Sequence, residues 1–166
     1  LYTVQQSTMT EAGIDAGFTR ELFVALGEPL EQGAFKMGEA CIHGFRETML
    51  GRAVLSLLRV LGPRRSLMRA TQNFRAGNNY TESRLKELGP RQFELWMNEV
   101  GPLPTFTAGI VHAGLRTAGA ENIRIDLSGH DGHACTYCIS WSEASVSSGV
   151  AGKGDSKAAT RSGSIH

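Results

Sequence analysis

Residues 80–99 read YTESRLKELGPRQFELWMNE, and this stretch decides the fold. Its second half alternates, with Phe93, Leu95 and Met97 falling on one side of an extended chain and Glu94, Trp96 and Asn98 on the other. Two such runs, 81–88 and 92–99, flank Gly89-Pro90-Arg91, which reads as a β-hairpin. Upstream the period is helical. Leu30, Ala34, Met37, Cys41, Phe45 and Thr48 recur at spacings of three and four and predict a helix. Gly38 and Gly44 lie inside it, where a missing side chain weakens the helix but admits a close neighbour. Leu50, Val54, Leu57, Leu58 and Leu61 form an apolar stripe expected to be core, with Arg52, Ser56 and Arg59 opposite it, facing water. Gly62-Pro63 breaks that helix. Pro63 suits the first turn of the next one, which runs to about Asn73 and is expected to bury Leu67, Met68 and Thr71. A shorter helix is predicted over 18–26, stopped by Gly27 and Pro29.

Downstream of the hairpin, Pro102 and Pro104 open a helix with Phe106, Ile110, Val111, Gly114 and Leu115 inward, and Gly119 ends it. Strands over 122–127 and 134–141 follow, joined by a turn at 129–132. The order of helices, hairpin, helix and hairpin gives an α+β fold: a four-stranded antiparallel sheet packed on helices.

The chain has 166 residues, 41% hydrophobic and 20% charged, which suits one globular domain, placed at 17–141 after a lead-in at 1–16. Residues 142–166 hold seven serines, four glycines and no aromatic residue, a composition that predicts a flexible tail, and its ending ATRSGSIH looks vector-derived. Starting at Leu1, the chain is expected to be a fragment or a processed product. A net charge of +1 argues against a nucleic-acid partner. The longest apolar stretch, AVLSLLRVL, is interrupted by Arg59 and too short for a membrane span. Cys41, Cys135 and Cys138 cannot all pair, so a reduced, cytoplasmic chain is expected.

Residues 49–80 carry six arginines and no Asp or Glu. Two readings stand side by side. In one, the arginines form a solvated face neutralised by acids such as Glu11, Glu39 and Glu47. In the other, they form a surface for an anion or an acidic protein partner, because guanidinium groups bind carboxylate and phosphate bidentately. The string NFRAGNNY at 73–80 is a tight polar turn into the first strand, with Asn78 and Asn79 capping backbone groups or with Arg75, Asn79 and Tyr80 lining a pocket mouth. A pocket between helices and sheet would take Trp96 and Phe106 as apolar walls and Arg75, Asn79 and Tyr80 as polar anchors.

Catalytic and metal chemistry find little purchase. Cys135 and Cys138 are three apart in a strand and point to opposite faces, so they cannot chelate one ion as a CxxC knuckle would; His133 and Cys135 share a face within reach of His130, with Cys41 or His43 as the conceivable fourth ligand, but Cys135, Tyr137, Ile139 and Trp141 read more simply as core. Cys41 and His43 are two apart on a helix and do not face each other. His112 reads as an exposed helix residue. Nucleophile-elbow, dinucleotide and phosphate-loop patterns are absent from the sequence. The expectation is a non-enzymatic regulatory domain without metal or cofactor that binds a small ligand or mediates protein interaction, as a homodimer or with an acidic protein.

The string FRETMLGRAVLSLLRVLGPRRSLMRATQNFRAGNNYTESRLKELGPRQFELWMNEVG, continued through PTFTAGIVHAGLRTAGAENIRIDL to YCISW, resembles a family of uncharacterised domains of myxobacteria, over roughly residues 20–141. That resemblance implies a relative without implying an activity. A more distant similarity is to the ligand-binding fold of haem–nitric-oxide sensors, vinyl-reductase-type regulatory domains and trafficking-complex subunits, carried by the element order and by Asn73-Phe74-Arg75 before the first strand. The sensors' Tyr-x-Ser-x-Arg clamp would fall on Trp96, Asn98 and Val100, and their proximal histidine near Leu67 or Met68, so the resemblance does not bring haem with it. The vinyl-reductase-type zinc site would fall near His130, His133, Cys135 and Cys138, at a different spacing.

Overall fold

The computed structural model describes residue 27 and residues 29–77 and 81–143, with backbone alone for 72–77 and 143. The predicted helix at 18–26 and the lead-in at 1–16 lie outside the described residues, as does the predicted tail at 142–166 apart from Ser142 and Glu143, which continue the last strand. Three helices and four strands follow in the order α1 (Leu30–Arg46), α2 (Met49–Gly77), β1 (Ser83–Gly89), β2 (Gln92–Met97), α3 (Pro104–Thr117), β3 (Ala120–Ser128) and β4 (Cys135–Glu143). The strands form one antiparallel sheet in the order β1-β2-β4-β3 with helices packed on it, the α+β arrangement that the alternation at 92–97 implies.

Register explains the core. Phe93 pairs with Ile139, Leu95 with Tyr137 and Met97 with Cys135, so the inward side chains of the two central strands stand opposite one another. All six are at most 4% exposed. The Phe93 and Trp141 rings stack with centroids 5.4 Å apart. The Tyr137 hydroxyl donates to the Pro104 carbonyl at 3.0 Å, tying the sheet to the start of α3. Helices α1 and α3 meet backbone to backbone. A side-chain carbon on Gly38 would overlap the Phe106 carbonyl, and one on Gly109 would overlap the Phe35 carbonyl. Glycine is required at that crossing because any Cβ would push the helices apart.

Helix α2 is broken where Gly62-Pro63 predicts. Gly62 has φ 74° and ψ 170°, a conformation open to glycine, and Pro63 cannot donate to the preceding turn. Across the break the Ser66 hydroxyl donates to the Leu58 carbonyl at 3.2 Å. The second arm, 63–77, packs Leu67 and Thr71 inward as expected, while Met68 is 41% exposed rather than buried.

The first arm, 49–61, departs from expectation. Its leucine stripe is not core: Leu50 is 67%, Leu57 45% and Val54 37% exposed, and Met49 and Val60 are more than 80% exposed. Leu55 and Gly51 are the buried residues, with Leu58 and Leu61 half-buried. Periodicity identifies residues that share a face, but burial depends on a neighbouring layer. Here the arm's buried contact is a narrow strip in which Gly51 lies against the Phe45 carbonyl. Arg52 and Arg59 face solvent as expected. Of the acids anticipated over the arginines, Glu11 lies outside the described residues, and Glu39 and Glu47 go elsewhere. Glu39 pairs with His112, Glu47 lies 4.0 Å from Arg46, and Arg64 is held bidentately by Glu87 of β1 at 3.0 and 2.8 Å. The Arg64 hydrogen bonds hold the Glu87 carboxyl below its usual range.

Candidate functional site

An apolar cavity of about 140 Å³ lies between the helices and the inner face of the sheet. The second arm of α2 contributes Ser66, Leu67, Ala70 and Thr71 to its wall, and the first arm contributes Leu58. Ile42 of α1, Leu95 of β2 and Ile110, Val111, Gly114 and Leu115 of α3 complete it. The two hydroxyls in this wall are already satisfied, Ser66 by the Leu58 carbonyl and Thr71 by the Met68 carbonyl at 2.8 Å. Both hydroxyls are spent on backbone carbonyls, so the described wall offers shape and apolarity rather than charge.

The space exists because small residues face it. A Cβ on Gly114 would meet nothing within 4 Å, and Ala70 offers one methyl group. Larger residues at both positions would close it. Of the polar anchors predicted from sequence, Asn79, Tyr80 and the Arg75 side chain lie outside the described residues. Trp96 is placed on the opposite face of the sheet, half-buried under the Arg84 guanidinium, which lies 4.8 Å from the ring centroid. Phe106 is half-buried at the α1–α3 crossing and does not line the cavity. The structure therefore does not bring Trp96 and Phe106 together as two walls. Alternation along β2 already put Trp96 opposite Leu95, the residue that does line the cavity.

One group outside the cavity differs from expectation. His112 is not an exposed helix residue: its Nδ1 lies 2.8 Å from Glu39 Oε1, both side chains are about a quarter exposed, and its ring packs 5.3 Å from Phe35. In the last hairpin, Asp131 accepts from the His133 and Ala134 backbone N–H groups at 2.9 and 2.7 Å, which holds its carboxyl below the usual range. Cys135 is fully buried and Cys138 half-buried on the other face. Among the described residues no three His, Cys, Asp or Glu side chains gather as metal ligands. Burial pushes the Cys135 thiol and the Tyr137 phenol up, because a charge there would lose its hydration. Among the described residues no helix is long and apolar enough to cross a membrane.

Comparison with known proteins places this geometry. A family model described as a protein of unknown function (DUF2378) matches residues 17–142. The Fe(II) unliganded H-NOX protein from K. algicida superposes with a TM-score of 0.53 at 10% identity, covering 76% of this chain and 70% of that one. A point mutant of the same K. algicida protein gives a TM-score of 0.52 at 11% identity, covering 75% and 70%. These likenesses are of fold. Separately, 35 residues are 83% identical to the cytochrome c-type biogenesis protein CcmF of Pseudomonas aeruginosa, a match covering 21% of this chain. The chain spans about 5% of the length of the curated relatives it matches.

An iron centre does not fit the described walls of the cavity. Haem iron requires an axial ligand such as His, Cys, Met or Tyr. The described lining offers none of these, and Leu67, one of the positions where the sensor resemblance would set a histidine, presents hydrocarbon.

Proposed function

The chain belongs to the family described as protein of unknown function (DUF2378), and from that premise we propose that it is a non-catalytic sensory domain whose ligand is a small apolar molecule held between helices and sheet. The observation that carries this reading is the cavity of about 140 Å³ whose two hydroxyls are both turned to backbone carbonyls. Engineered apolar cavities of about 150 Å³ stay dry and take up benzene or xenon. Drug-sized ligands need roughly 300 Å³ or more, so the guest is a small one. The H-NOX-like fold supports a regulatory role, with the iron ligand replaced by hydrocarbon.

Thermal unfolding in the presence of benzene or xenon tests this. A ligand that binds the native state alone raises the melting temperature with its concentration. The wild-type chain should show that rise, and Ala70→Leu, which fills the cavity, should abolish it. No rise in the wild type, or an equal rise in Ala70→Leu, would sink the reading.

A second reading rests on the first arm of α2. Met49, Leu50, Val54, Leu57 and Val60 are exposed on one helix, beside Arg52 and Arg59, in a stretch without acids. Exposed apolar patches with a charged rim mark interaction surfaces. Charge complementarity favours an acidic amphipathic helix as the occupant. A second copy would bring arginines against arginines in an isologous pairing. Binding of a synthetic acidic amphipathic peptide that weakens with salt and is lost in Leu57→Asp would support this. Concentration-dependent dimerisation that Leu57→Asp abolishes would point to the homodimer instead.

A further inference from the structure

We propose that two copies of this chain pair edge to edge through β3, joining their four-stranded sheets into one continuous antiparallel sheet about a two-fold axis at Ile125. This surface is separate from the cavity and from the exposed arm of α2.

The free edge follows from the strand order. β3 is an outer strand of β1-β2-β4-β3, and among the described residues no strand lies on its far side. Main-chain groups in an antiparallel sheet point alternately to the two neighbouring strands. The Trp141 N–H donates to the Arg91 carbonyl at 3.3 Å, so residue 141 turns toward the β2 side. By alternation Ile139 and Tyr137 also turn to β2, while Ser140 and Cys138 turn to β3 and to their partners Arg124 and Asp126. The N–H and C=O groups of Ile125 and Leu127 are then aimed away from the sheet, where a further strand satisfies them.

Side chains select that strand. Arg124 and Asp126 are exposed on the face of the sheet away from the helices, and neither side chain pairs with another described residue. Ile123, Ile125 and Leu127 alternate with them on the inner face, where Leu127 remains 37% exposed. Antiparallel pairing about Ile125 sets Arg124 opposite Asp126 of the second copy, and Asp126 opposite Arg124 of the second copy. Ile125 then meets its own counterpart, and Ile123 meets Leu127 of the second copy. Opposite charges directly across a strand pair stabilise it, and like charges oppose it. Moving the axis by one residue would set Arg124 against Arg124 or Asp126 against Asp126. Glu121, the other acid of β3, lies across the bulge that separates it from Arg124 and falls opposite Gly129 of the second copy rather than an acid.

The opposite edge of the sheet lacks this self-complementarity. β1 carries Arg84 and Lys86 on its outer face, so pairing two copies about Leu85 would oppose cation to cation. It is also tied to α2, by the Arg64–Glu87 pair and by the Ser83 hydroxyl donating to the Thr71 carbonyl at 3.1 Å.

Sedimentation equilibrium of the full chain tests the pairing. The wild type should dimerise with concentration. Arg124→Asp should weaken the dimer by about tenfold or more, since two opposed pairs turn from attraction to repulsion. Asp126→Arg should do the same. The double variant Arg124→Asp/Asp126→Arg should regain the wild-type dimer, a mixture of the two single variants should form heterodimers, and Leu57→Asp should leave the dimer intact. Amide hydrogen exchange reads the main chain: Ile125 and Leu127 should exchange more slowly in the dimer than in the diluted monomer. A monomer at every concentration, a dimer indifferent to Arg124→Asp, or a double variant no tighter than the single ones would each overturn the proposal. So would a dimer lost in Leu57→Asp and kept in Arg124→Asp, which would set the contact on the α2 arm. If a single variant fails to fold, the wild-type exchange decides, and equal exchange of Ile125 and Leu127 in dimer and monomer rejects the pairing.

Discussion

Glu39 of α1 and His112 of α3 meet at 2.8 Å across the helix crossing, with the Phe35 ring against the imidazole. The pair lies beside the glycine contact between the same two helices. It is partly shielded, so its coupling should exceed that of an open surface pair. A double-mutant cycle with Glu39→Ala and His112→Ala should return a coupling of about 1 kcal/mol. A coupling within error of zero would mean that Phe35 packing, not the hydrogen bond, places His112.

Glycines 109 and 114 lie on one helix and should respond in opposite directions to alanine. Gly109→Ala drives a methyl group into the Phe35 carbonyl, while Gly114→Ala meets open space. The first should cost about 2–3 kcal/mol through overpacking. The second should gain up to about 1 kcal/mol from helix propensity. Urea unfolding of both variants checks the contrast.

Leu67→Ala should cost about 3 kcal/mol and enlarge the cavity, since Leu67 is 4% exposed and lines it. The enlarged space should accept a bulkier guest than the wild type, read as a melting-temperature rise with toluene that exceeds the rise with benzene.

The buried Tyr137 should make stability fall in alkali. Its phenol is pushed up by burial, above the value of about 10 that it takes in the unfolded chain. As pH rises past about 10, the unfolded chain releases this proton first, so the contribution is complete below that pH and declines as pH climbs toward the folded value. Tyr137→Phe should lose about 1 kcal/mol at neutral pH with the Pro104 hydrogen bond. It should also unfold less steeply above pH 10, which chemical denaturation across pH 8–11 would reveal.

Two substitutions on one helical arm separate exposed from buried leucine. Leu57→Asp changes a residue 45% exposed and should shift stability by no more than about 0.5 kcal/mol, whereas Leu55→Asp places a charge at a position 5% exposed and should abolish folding.

The alternation at 92–97 and the Gly62-Pro63 break were legible because each is a local rule: side chains in a strand alternate, and proline cannot continue a helical hydrogen-bond ladder. The leucines at 50–61 misled because sharing a face is local while being covered is not. Trp96 shows the same limit in reverse. Its strand parity set it opposite Leu95, yet its size suggested a pocket wall, and parity was the better guide. A pocket between helices and sheet was legible, but its lining was not, since the wall combines three helices and one strand through residues as ordinary as Ala70 and Gly114.

The bend at Gly62 joins two surfaces of different character. One arm of α2 supplies Leu67, Ala70 and Thr71 to the cavity, and the other displays Leu57 and Val60 to solvent. Leu58, on the outer arm, also lines the cavity, and Ser66 spans the bend to its carbonyl. The wall of the interior and the exposed arm therefore meet at one bend, where the Ser66–Leu58 hydrogen bond ties the two halves of the helix together.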